Sequence, residues 1–256
     1  VIQVLDSRFS KLVITITALA SLLMFTWPLL IQLPDASENR VAQTVFIILM
    51  PMLLTLILVE FATGDIDSKQ LAILGVLVAL NAVIRILGAG TSGIETAFFL
   101  IIIGAYVFGS GFGFLLGAGS LFVSALIMGG VGPWLPFQMM AAGLVGIGAG
   151  LIPKPERNWL KLATLSSYAV VAAFVYGGLM TMWNWPFLAG TGTDISYSPG
   201  ATLTENLGRF ISYELLTGGL LWDAGRAVTT VVLILLTAPA LLATLNRAAG
   251  RAGIGR

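Results

Sequence analysis

Only 10% of the 256 residues are Asp, Glu, Lys or Arg, so the charged and amide side chains that interrupt apolar sequence are where chemistry must be sought. Asn81 and Arg85 are four residues apart, a spacing that puts both on one face of a helix. Glu95 follows across the short stretch "GAGTSGIE". Arg85 with Glu95 reads either as a structural ion pair beneath that loop or as two groups lining a substrate cavity. "GPWLPFQM" sets Trp134 and Gln138 four apart, with Pro133 and Pro136 stiffening the loop that carries them. "MTMWNWPF" brings Trp183, Asn184 and Trp185 together, and "LLWDAGRA" places Asp223 and Arg226 one helical turn apart. Taken singly, a tryptophan at the edge of an apolar run reads as an anchor, and Asp223 with Arg226 as a pair on one helix. Their convergence suggests binding, because ring walls with a few hydrogen-bonding groups suit a flat or large organic ligand.

Catalysis has little to work with. Cys and His are absent, which removes thiolate nucleophiles, Cys/His metal or haem sites and any Ser-His triad. No metal site and no cofactor is expected, and no phosphate-binding P-loop occurs, so the chain reads as no ATPase. Asp65 and Asp67 in "DID" could hold Mg²⁺-pyrophosphate in a prenyl- or lipid-metabolising enzyme. Without a second acidic motif, a helix cap is the simpler reading. No basic, aromatic-interleaved run points to nucleic acid.

The elements that must position these groups follow from composition. With 57% hydrophobic residues the chain could not cover a water-facing surface, so its solvent is lipid. Apolar runs of about 20 residues fall at 11–33, 41–62, 69–88, 94–108, 109–128, 134–152, 159–183 and 222–246. The fold class is therefore an all-α polytopic membrane protein with eight spans, divided into a two-span N-terminal hairpin, 1–62, and a six-span unit, 63–256. The first run reads as an anchor and not a cleaved leader. With both termini in the cytoplasm, inner segments hold nine of the 13 Lys and Arg residues, among them Lys69, Lys154, Arg157, Lys161, Arg247 and Arg251; the positive-inside bias selects this orientation. The candidate site residues then all lie towards the outside.

"TLTENLGRFISYELL" has Leu203, Leu207, Phe210, Ile211 and Leu215 at helical spacing, which predicts a helix lying on the outer surface. Small residues recur every fourth position: Gly75 and Ala79; Gly109, Gly113 and Gly117; Ala142, Gly146 and Gly150. Such ridges let helix backbones approach closely. Internal packing is the simpler reading for the latter two sets, while Gly75 and Ala79 read equally as a docking face for another membrane protein.

From "KQLAILGVLVALNAVIRILGAG" through "GPWLPFQMMAAGLVGIGAGLIP" to "WDAGRAVTTVVLILLTAPALLATL" the chain resembles the S component of energy-coupling factor (ECF) vitamin importers. The GPW-containing loop is most similar to the corrinoid (cobalamin) branch; riboflavin, folate and queuosine precursors are the alternatives. The resemblance implies a multi-pass protein of the bacterial inner or plasma membrane that binds a vitamin on the extracellular side. It implies partners too: a transmembrane coupling protein and two cytoplasmic ATPase subunits, with delivery by toppling in the bilayer. The Gly75-x-x-x-Ala79 spacing stands where the family's Ala-x-x-x-Ala docking pattern is expected. Residues 1–62 lie outside the resemblance.

Overall fold

The structure is a computed structural model that describes residues 8–30, 44, 47–56, 58–59, 68–88, 93–188 and 192–252. Its helices are α1 (Arg8–Phe25), α2 (Trp27–Leu30), α3 (Ile47–Leu56), α4 (Ser68–Gly88), α5 (Phe98–Phe108), α6 (Ser110–Met128), α7 (Leu135–Gly150), α8 (Asn158–Met182), α9 (Trp185–Leu188), α10 (Leu203–Thr217) and α11 (Gly219–Arg251). No strand occurs among the described residues.

Six of these helices, α4 to α8 and α11, alternate in direction. Arg85 near the end of α4 meets Ser124 near the end of α6, Phe98 at the start of α5 meets Tyr176 late in α8, and Ser110 at the start of α6 meets Ile147 late in α7. The turn that reverses α5 into α6 is a single residue, Gly109, whose φ of 96° suits glycine alone. Close packing of α6 on α7 rests on the small-residue ridges: a Cβ on Gly113 would lie 2.5 Å from the Gly146 carbonyl oxygen, and one on Gly117 would strike Ala142 backbone. Internal packing is thus the role of these two ridges. Gly75 differs, since a Cβ there would meet nothing within 4 Å, and Ala79 beside it is exposed.

Eight spans were expected; four described helices, α4, α6, α8 and α11, are long and apolar enough to cross a membrane. α5, with 11 residues, is about 17 Å long against a hydrocarbon core of about 30 Å. Every one of its residues is buried, so neighbouring helices shield its ends from lipid. α7 is also short, at 16 residues. In the N-terminal segment, where a two-span hairpin was expected, α1 breaks at Thr26 before α2, while 31–43 and 60–67, including Asp65 and Asp67, lie outside the described residues.

Candidate functional site

Four charged groups expected at the outer side do come together. Arg85 donates from Nη1 to Ser124 Oγ at 2.9 Å and lies 3.9 Å from Glu95 Oε1. Asp223 and Arg226 form an ion pair on α11, and Arg226 also donates to the Ala173 carbonyl at 3.2 Å. All four lie within electrostatic reach of Tyr176. The guanidinium of Arg226 sits 5.0 Å from the Tyr176 ring centre and 5.9 Å from that of Phe98, two rings that themselves meet edge-on, so cation–π contacts hold a charge in an otherwise apolar wall. Asp223 is 4% exposed and its carboxylate presses on Gly177, where any side chain would displace it. Asn81 is fully buried and neither atom of its amide has a partner.

A cavity of about 440 Å³ opens beside the second pair. Thr181 of α8, Tyr213 and Thr217 of α10, and Trp222, Asp223 and Arg226 of α11 wall it. Behind Gly219 lies Glu214, a residue that sequence reasoning did not single out. It is 4% exposed, and neither carboxylate oxygen has a well-formed hydrogen bond. Burial raises its pKa, with the nearby Thr181 hydroxyl pulling it back and the Asp223 charge pushing it further. The signal for Glu214 was its i, i+4 register with Phe210 and, one turn earlier, Asn206: all three turn inwards, while Leu203, Leu207, Ile211 and Leu215 face out. Phe210 leaves the expected apolar stripe because it packs edge-on against Trp185, 5.4 Å between ring centres.

The tryptophan-bearing segments go elsewhere. Trp183 stacks on Phe137 at 3.8 Å, and its backbone carbonyl accepts a hydrogen bond from the Trp27 indole. Trp185 is fully buried against Tyr197 and Phe210 and donates to the Ile195 carbonyl at 2.9 Å. Asn184 and Gln138 are half-buried, and Trp134 is 48% exposed with its ring over Gly132. Trp183 and Trp185 thus sit in ring clusters that α2 joins: Trp27 lies 5.9 Å from Phe187 and 6.1 Å from Tyr197. Covering the site, α10 is held by a capping box, in which Thr202 and Glu205 satisfy each other's backbone N–H groups. Asn206 pins the preceding loop through paired hydrogen bonds with Ser198.

The arrangement sets charges, hydroxyls and rings around a space, the means to bind an organic ligand. A family model for the substrate-specific component of ECF transporters matches residues 69–242, from the first turn of α4 to late α11. The chain belongs to that family. As an S component it is the substrate-specific membrane subunit of a transporter and not an enzyme, and the family implies a vitamin substrate, ECF module partners and a multi-pass place in the cell membrane. α1 to α3 lie outside the match. No curated protein and no solved structure matches the chain.

Proposed function

We propose that this S component takes its substrate into the cavity beneath α10, at the outer end of the bundle, and that the substrate is a compact vitamin or vitamin precursor. The observation that carries this reading is the space of about 440 Å³ walled by the Asp223–Arg226 pair, with the unpaired carboxylate of Glu214 behind it. That volume lies within the range that buries a drug-sized ligand. A corrinoid is several times larger. The corrinoid reading draws support from the GPW loop, but Trp183 and Trp185 are already packed against other rings. Riboflavin, folate and queuosine precursors agree better with the cavity. Arg85, Glu95 and Asn81 would form the deeper wall beyond Tyr176, and the exposed face of Gly75 and Ala79 would meet the coupling protein.

Purified subunit, without nucleotide, is expected to bind one member of a vitamin panel by calorimetry. Arg226→Ala should weaken that binding at least tenfold, since charge-assisted hydrogen bonds contribute about 1.5–3 kcal/mol each. The absorbance spectrum of the same preparation separates the substrates: a co-purified corrinoid would overturn the compact-ligand reading, and a flavin would support it. Undiminished binding by Arg226→Ala would place the site elsewhere.

A further inference from the structure

A second cavity, about 660 Å³, lies at the opposite end of α8 and α11. It adjoins Lys161 and Leu162 on α8, whereas the first adjoins Gly177 and Thr181, so about 24 Å of helix rise separates them. Tyr106 of α5, Lys154 and Glu156 of the α7–α8 loop, Asn158 and Lys161 of α8 and Asn246 of α11 line it, with Leu242 among its apolar residues; Glu156, the one acid on the wall, is exposed to solvent and leaves the two lysines in excess. Three observations there are unexplained by packing. Tyr106 is 5% exposed, yet its hydroxyl has no partner. The Lys154 ammonium sits 5.6 Å from the centre of the Tyr106 ring, and the ion pairs among the described residues, Arg85–Glu95 and Arg226–Asp223, include neither Lys154 nor Lys161. α8 begins at this cavity with no side-chain cap, leaving its first N–H groups open.

We propose that this cavity is a site for a phosphate group, and that an anionic phospholipid headgroup is its source. Two ammonium groups, a phenol donor and an uncapped helix N-terminus are the set that recognises phosphate oxygens. Lys154 is exposed at the mouth of the cavity, where partial burial still lowers its pKa. Trp159, 62% exposed at the second position of α8, marks headgroup depth, and Leu162 and Leu242 supply an apolar wall for the glycerol end of a lipid. Basic pockets between helices on the cytoplasmic side suit such lipids, and Arg157, Arg247 and Arg251 make this the positive end of the bundle.

Native mass spectrometry of the full chain in detergent, titrated with phosphatidylglycerol or with phosphatidylcholine, tests this. One phosphatidylglycerol should be retained in preference to phosphatidylcholine. Lys154→Gln and Lys161→Gln should each weaken retention roughly fivefold, and Tyr106→Phe, which keeps the ring, should weaken it too. Arg251→Gln, basic but outside the cavity, should leave retention near that of the unaltered chain. Inorganic phosphate is the second arm: phosphate that displaces the lipid and raises the melting temperature of the unaltered chain but not of Lys154→Gln assigns the same cradle to a soluble phosphate. Equal retention of the two lipids, or an equal loss in Arg251→Gln and Lys154→Gln, would overturn the proposal.

Discussion

Asp223, Arg226 and Glu214 place two buried acids and one base beside the cavity, so one negative charge lacks a partner. Removing Arg226 would leave Asp223 buried and alone, a change that costs about 3–5 kcal/mol in comparable cases. The double variant Asp223→Asn/Arg226→Gln should recover most of that stability in thermal melts while binding stays lost, which separates folding from recognition. Glu214 gives a pH signature. Its folded-state pKa lies above the ordinary 4.5, so the folded state holds the extra proton and stability of the empty subunit falls as pH rises through that window. Glu214→Gln should flatten the fall in melting curves taken from acidic to neutral pH. Glu214 escaped sequence reasoning because α10 reads as a surface helix whose polar residues belong in water; its neighbours Asn206 and Phe210 show otherwise only once the helix has a floor to pack on.

Among the elements, the α6–α7 contact and the α10 cover make separate demands. Gly146→Leu would force apart backbones that touch at Gly113, at a cost of about 1–3 kcal/mol or more, read as a lowered melting temperature. Thr202→Ala removes the cap of α10 and should cost about 1 kcal/mol of local stability. Because α10 covers the cavity and not the bundle core, the expected readout is faster substrate dissociation with a nearly unchanged global melt. The ridges were legible from spacing, since small residues every fourth position line one side of a helix whatever its partner. Which partner each ridge meets was not, and the open space beside Gly75 is what distinguishes the first ridge from the other two.

For the whole molecule, Gly75→Leu or Ala79→Leu should abolish uptake in cells while the isolated subunit still binds substrate; lost binding would mean that this face packs internally. Lipid as the solvent and the all-helical class followed from composition and from the length of the apolar runs. Span count did not, because α5 is too short by length alone and stays in place by being surrounded. Nor did the fate of the tryptophans: Trp183 and Trp185 found ring partners in Phe137, Tyr197 and Phe210, distant in sequence. The enclosure of α5 has a further consequence. Its side chains fill the middle of the bundle like a stopper: Phe98 at its start lies against Arg226 beside the first cavity, Tyr106 near its end lines the second, and every residue between them is buried. A bilayer holding the subunit alone should therefore be electrically silent, with no ion leak whether or not substrate is present.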